Sequence, residues 1–304
     1  MKNVFIMILS LLLICHIYAY KIVGLVPARN EEDIIAQCLK CLSCYTDAIV
    51  FLDDASTDRT AGVVESIAKE CHVEKIIKKE KWYRDEPGDR NKLLNAGREI
   101  GGTHFIVIDA DEVLTSNFLE NNLLKKKILS LKKGEMFLLK WIQLWRSVDS
   151  FRDDDSVWSK GFVNCMFCDD GVCSYSSQFI HTPRSPNNLK GRKIHIKGKD
   201  LGLMHFQFVN WENLLIKQAW YRCLELIRFT KKSPHQINLK YKASKDEKKI
   251  KVSPVKNEWF SGYSNFDKGV YLLPEKWRRK QILNWFNLYG KDFFKDLDIW
   301  DVSW

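Results

Sequence analysis

The amino-acid sequence predicts an α/β protein: a mostly parallel sheet with helices on both faces, followed by a helical C-terminal extension. Two observations carry this prediction. Short apolar, β-branched runs alternate with helical segments from Lys21 to Ile108, and two of those runs end in aspartates, Asp53-Asp54 and Asp109-Ala110-Asp111. In sheets of this kind ligands bind beyond the carboxyl ends of the strands.

The elements follow in order. Lys21 to Pro27 reads as a buried strand closed by proline. Arg29-Asn30-Glu31-Glu32-Asp33 opens a helix with acids in its first turn, where the helix dipole favours them. Ile34, Ile35, Cys38, Leu39 and Leu42 supply its apolar face. Ala48 to Leu52 is a second strand, and the small polar residues from Asp53 to Asp58 form a turn that caps a helix from Arg59 to Glu70. Val73 to Ile77, Arg90 to Ile100 and His104 to Ile108 read as strand, helix and strand. Such alternation gives parallel pairing through right-handed crossovers. From Glu135 to Trp158 the pattern is mixed. Trp211 to Phe229 is helical, Lys231 to Pro254 reads as a lysine-rich linker or exposed helix, and Glu275 to Phe294 reads as an amphipathic helix before the tail Ile299 to Trp304. The expected division is a leader at 1–19, an α/β domain at 20–230, and a basic linker with helical extension at 231–304.

The 304 residues suffice for one full core and an extension. A formal net charge of +10 points to anionic partners such as nucleotide diphosphates or acidic headgroups. Nucleic acid is not expected, because zinc-finger spacing, an aromatic RNA-stacking motif and a helix-turn-helix signature are all missing from the sequence. Lys2, the apolar run Val4 to Ile14 and the closing Ile17-Tyr18-Ala19 have the pattern of a signal peptide or short membrane anchor. That pattern predicts a secretory-pathway lumen or membrane association, with the cytoplasm as the alternative. Among nine cysteines, Cys165, Cys168 and Cys173 cluster, with His181 as the one available fourth zinc ligand; disulfides or plain burial are the competing readings.

Asp109 and Asp111 follow an apolar strand, and residues two apart on an extended segment point to the same side. Two adjacent carboxylates repel, and a hard divalent cation such as Mn²⁺ or Mg²⁺ removes that repulsion while binding phosphate oxygens. The bland alternative is an acidic loop capping a helix. Asp53 and Asp54 follow a second strand in a turn expected nearby. A carboxylate there can accept the imide N–H of a uracil ring, and Ser56, Thr57 and Asp58 are already available to cap the next helix.

Three segments together resemble the family 2 glycosyltransferases of the GT-A fold: Val26-Pro27-Ala28-Arg29-Asn30-Glu31-Glu32, Leu52 to Thr60, and Ile108-Asp109-Ala110-Asp111-Glu112. They stand in the family's order and spacing within Lys21 to Arg222. The resemblance implies a nucleotide-sugar donor, a divalent cation and, typically, inversion at the anomeric carbon. It implies that Pro27, Ala28, Asn30 and Asp53 line the donor pocket, that Asp54 reads the base, and that Arg90 or Lys92 neutralises the diphosphate. Asp109 would contact ribose or metal, Asp111 would be the main metal ligand, and His205 would complete the metal site, with His181 and His195 as competitors. Asp54 suits uracil, which favours a UDP-sugar over a GDP-sugar. The acceptor is a glycan, lipid or protein hydroxyl. Inversion needs a general base, for which Asp153, Asp154 and Asp155 are the candidates. Trp141, Trp145 and Trp158 could stack on an acceptor sugar, with core burial as the alternative. The competing functions are a sugar nucleotidyltransferase, disfavoured because no glycine-rich loop follows the first strand, and a non-catalytic carbohydrate- or partner-binding protein on the same scaffold.

Overall fold

The computed structural model describes residues 20–176, 180–196, 201–229 and 231–304. At its centre lies β1 (Ile22–Ala28), paired in parallel with β2 (Ala48–Asp53) on one side and β4 (His104–Val107) on the other, while β3 (Val73–Lys78) pairs in parallel with β2. The sheet continues through β8 (Phe162–Cys168), antiparallel to both β4 and β6 (Met136–Gln143). β6 takes β9 (Lys193–His195) and β10 (Gly202–His205) in parallel, and β5 (Glu112–Leu114) closes that edge antiparallel to β10. A separate ribbon joins β7 (Ser150–Arg152) to β11 (Val252–Pro254). The expected α/β architecture with a mostly parallel sheet is the one observed.

Both faces of the central strands are buried, and side chains alternate between them with the period of two that extended backbone imposes. Ile22 and Val26 join Ile49 and Phe51 beneath α1 (Ile35–Ser43), whose Ile35, Cys38, Leu39 and Leu42 complete the cluster. α2 (Thr60–Ile67) adds Val64 on that face. Val23 and Leu25 join Ala48, Val50 and Leu52 on the other face, under Leu93, Leu94 and Ala96 of α3 (Glu86–Glu99). Each fully buried aliphatic side chain contributes roughly 1.5–3 kcal/mol. Two short helices follow, α4 (Leu123–Ile128) and α5 (Val157–Lys160). A third apolar cluster ties α6 (Trp211–Arg228) to α7 (Pro234–Lys242), α8 (Arg278–Tyr289) and the tail at Phe294, Leu297 and Ile299.

Several boundaries differ from expectation for physical reasons. The first helix begins at Ile35, so its acidic residues are not in a helical turn. Asn30 has φ +53° and accepts the Thr57 N–H at 2.7 Å, while the Glu31 and Glu32 N–H groups donate to Thr60 Oγ1 and Asp58. The segment is thus bonded to the loop after β2. α3 starts at Glu86, earlier than Arg90, because Asp85 accepts the Gly88 N–H and Pro87 suits a helix start. α7 forms inside the lysine-rich stretch behind a capping box of Ser233 and Gln236.

The expectation of a secretory-pathway lumen or membrane-associated location is corrected. Among the described residues no helix is long and apolar enough to cross a membrane, and the leader at 1–19 lies outside the described residues. The eight described cysteines are free thiols, seven of them buried. Only Asp169, Asp170 and Cys173 bring three possible ligand atoms within 4.8 Å of one another among the described residues. There Arg98 already holds Asp169 at 2.7 and 2.8 Å, and Asp170 accepts the N–H groups of Val172 and Cys173.

Candidate active site

The carboxyl ends of β1, β2 and β4 open into a cleft of about 590 Å³. Pro27, Ala28, Arg29 and Asp54 line it from the first two strands, Asp109 and Asp111 from the loop after β4, and His205 from the end of β10. The far wall comes from Lys217 and Tyr221 of α6, together with Trp277 and Arg278.

The two aspartates after β4 are held by different cations. Asp109 meets Arg184 at 2.6 Å and Arg90 at 3.3 Å. Burial alone would raise its pKa, but these guanidinium groups hold it below the usual carboxylate range. Asp111 meets the Lys217 ammonium at 2.9 Å and His205 Nε2 at 3.5 Å. Burial again opposes the charge, and Lys217 with His205 overrides it, leaving the group well below the usual range. Glu112 is the organiser of this loop. It is fully buried, accepts the Asp109 N–H at 2.9 Å and Trp141 Nε1–H at 3.1 Å, and pairs with Arg184 at 2.8 Å.

The Gln143 Oε1 atom lies 2.9 Å from Nδ1 of His205. An amide oxygen accepts, so Nδ1–H donates to it, and this turns the Nε2 edge of the ring towards Asp111. The ring is also stacked on Trp141, with centroids 4.9 Å apart. A carboxylate oxygen beside an oriented imidazole nitrogen is a donor set that fits Mn²⁺. Asp109 does not join this pair, since Asp109, Asp111 and His205 are not brought within 4.8 Å as a trio.

Other expected residues divide. Asp54 faces the cleft and is anchored by Lys79 at 2.5 Å, whose ammonium also meets Asp89 at 2.8 Å. Asp53 does not line the cleft; its carboxylate accepts the Ser56 N–H at 3.3 Å and closes its own turn. Asn30 braces the neighbouring loop and lines a smaller adjoining hollow of about 300 Å³. Arg90 reaches the cleft, whereas Lys92 turns to the Tyr83 hydroxyl at 3.2 Å, outside it. None of the base candidates lines the cleft. Asp154 pairs with Arg152 at 2.7 Å and caps Ser156, which holds its pKa at about 2 against burial; Asp153 accepts the Ser253 hydroxyl, and Asp155 is exposed beside Lys160. Trp141 and Trp158 line the cleft, but Trp145 is buried. His181 lines it too, and its pKa is lowered to about 4 by burial; His195 does not.

Glu31, Arg184, Lys217 and Arg278 were not singled out by the sequence. Arg184 and Arg278 sit in segments without a pattern, so nothing local marks them. Lys217 carried a weak signal, being a lysine between buried Ile216 and Gln218 on a helix with an apolar face. Glu31 pairs with Arg278 at 3.3 Å, yet burial prevails and pushes its pKa up to about 7.

Residues 25–126 match the family model described as glycosyl transferase family 2. Over that stretch the chain resembles the family 2 glycosyltransferases. Among solved structures it is similar to S. aureus TarS 1–349, at 14% identity over 91% of this chain and 81% of that one, with a TM-score of 0.43. Glucosyl-3-phosphoglycerate synthase from Mycobacterium tuberculosis is 22% identical over 41% of this chain and 44% of that one, with a TM-score of 0.29. A mannosyltransferase from Pyrobaculum calidifontis, in complex with GDP-Man and Mn²⁺, is 20% identical over 40% of this chain and 36% of that one, with a TM-score of 0.31. No curated protein matches the chain. The matched stretch takes in the second half of β1, the loop after β2, α3 and the Asp109–Glu112 loop. His205, Lys217 and Arg278 lie beyond it.

Proposed function

We propose that this protein is a glycosyltransferase that transfers a sugar from a nucleotide-sugar donor, with UDP-sugars favoured, to an acceptor hydroxyl with inversion, assisted by Mn²⁺ or Mg²⁺. The observation that carries the reading is the convergence of Asp54, Asp109, Asp111 and His205 in one cleft that Arg90, Arg184, Lys217 and Arg278 also line. Asp54, already fixed by Lys79, would accept the imide N–H of the base. The four basic side chains would share the diphosphate charge, and a donor with two phosphates can displace their carboxylate partners because charge-assisted bonds to phosphate are strong. Asp111 and His205 Nε2 would hold the cation, with Gln143 keeping the imidazole in the right tautomer. When bound, the cation would stabilise the charge that grows on the leaving diphosphate. Glu112 would act as a positioning residue, holding Arg184 and the Asp109 backbone in place. Trp158, a half-buried lining residue of the cleft, would offer a flat face to an acceptor.

The test is donor hydrolysis and transfer across UDP- and GDP-sugars with Mn²⁺, comparing wild type with Asp111→Ala. The expected result is turnover of one donor that falls by about a hundredfold or more in the variant, the scale of losing a charge-stabilising group in a dry site. Folded protein that binds no nucleotide sugar would sink the proposal.

A further inference from the structure

Lys217 projects from α6 into the cleft and donates to Asp111 Oδ2 at 2.9 Å. That same oxygen lies 3.5 Å from His205 Nε2. An ammonium and an imidazole thus converge on one carboxylate oxygen, the atom that would bind the divalent cation in the proposed reaction. The lysine side chain is about four-fifths buried, with 19% of its surface exposed, and Asp111 is its one acceptor among the described residues. Leaving so enclosed an ammonium unpaired is costly, and a second anion in the cleft would offset that cost.

We infer that Lys217 is an internal counter-cation for Asp111, which the divalent cation has to displace, and that the donor diphosphate drives the exchange by receiving the released ammonium. Two cations on one carboxylate oxygen repel strongly where water is scarce. Lysine suits the exchange because its charge is compact and sits on a flexible four-carbon stem with three rotatable donors. Phosphate oxygens lying beside a cation on Asp111 would fall in the same cleft that Lys217 lines. No bond is made or broken in the exchange; one ion pair is traded for two. Its consequence is thermodynamic coupling: the diphosphate raises the affinity for the cation, and the cation raises the affinity for the diphosphate by the same factor. Without donor, the cleft balances its own charge and disfavours free cation. This inference rests on the donor and metal reading proposed above.

The experiment titrates Mn²⁺ alone into the full chain, and then Mn²⁺ in the presence of UDP, for wild type, Lys217→Met and Lys217→Arg. Binding is read from the loss of the free Mn²⁺ paramagnetic resonance signal and from quenching of tryptophan fluorescence, to which Trp141 against His205 contributes. Lys217→Met is expected to bind Mn²⁺ alone about tenfold or more tightly than wild type, with a correspondingly smaller gain from UDP. Lys217→Arg, which keeps the charge, should retain the wild-type pattern. Equal or weaker Mn²⁺ binding by Lys217→Met, with the UDP gain intact, would overturn the inference: Lys217 would then only clamp α6 to the loop, and the proposed function would stand. Absence of Mn²⁺ binding in wild type even with UDP would overturn both. Should Lys217→Met fail to fold, Lys217→Gln makes the same comparison with a neutral polar side chain.

Discussion

At the scale of single residues, Asp109 and Asp111 share one short loop but answer to cations from distant parts of the chain, Arg184 and Lys217. Asp109 and Asp111 were legible as acids ending an apolar strand, but the alternation rule that paired them does not hold there, because residues 110 and 111 form a turn in which the Glu112 N–H donates to the Asp109 carbonyl at 3.0 Å. The same rule applied to Asp53 and Asp54 shows that adjacent residues point oppositely, so one closes the turn and the other faces the cleft. Asp153 to Asp155 misled because an acidic run is also what a buried arginine and a short helix start require, and Arg152 and Ser156 use Asp154 for those purposes. Glu31 gives a prediction at this scale. Burial, outweighing Arg278, pushes its carboxyl up to about 7 from an ordinary value of 4.5. Between those two values the folded chain holds a proton that the unfolded chain has lost, so this group's contribution to stability falls as pH rises through that window. Glu31→Gln should remove the fall. Denaturant melts at about pH 5 and about pH 7.5 should show the variant gaining stability relative to wild type at the higher pH; an unchanged difference would mean that the carboxyl titrates normally.

At the scale of elements, hydrophobic period gave the four parallel strands between Ile22 and Val107, whereas β5, β8, β9 and β10, short or set in segments without clear period, were not foreseen. Helix starts were less legible. The acids after Pro27 look like a helical first turn, but the N–H groups of Asn30, Glu31 and Glu32 donate to Ser56, Thr60 and Asp58 across a loop that no local pattern reveals. The contact of α3 with the sheet depends on Gly97. A Cβ there would stand 2.6 Å from Phe105 Cε1 and 3.2 Å from Leu25 Cδ2, both in the core. Gly97→Ala would have to push α3 away from β1 and β4, and overpacking of this kind costs roughly 1–3 kcal/mol. Although alanine favours helix by about 1 kcal/mol over glycine, the crowding should win. A lowered urea midpoint with an unchanged slope is the expected result, and an unchanged or raised midpoint would show that the helix has room to shift. Because Asp89 and Arg90 lie on the same helix, the variant should also weaken donor binding.

At the scale of the whole molecule, the cleft is built from both ends of the chain. The floor was legible in the sequence, since its strands and their acidic ends are contiguous. The wall was not, because Lys217, Trp277 and Arg278 reach the cleft through the apolar cluster of α6, α7, α8 and the tail. Trp220 is the hinge of that arrangement. It is 1% exposed and packs against Trp82, Trp277 and Trp285 at ring separations of 6.1, 5.5 and 6.1 Å. Trp220→Ala should lose about 3–5 kcal/mol of stability, the usual range for emptying a buried aromatic site, and should weaken UDP binding although Trp220, at the border of the cleft, brings no charge to the diphosphate. A chemical denaturation curve and a UDP titration at a temperature where the variant is folded check both. The pairing of Glu31 with Arg278 spans 247 positions, and that span has a consequence for how the protein is made. At roughly 5–20 residues per second, a ribosome finishes the strands and their aspartates on the order of ten seconds before it adds Trp277 and Arg278. A nascent chain can therefore fold its floor while its substrate hollow still lacks one side, and a polypeptide released before α8 would be a folded half-site without the grip to hold a donor.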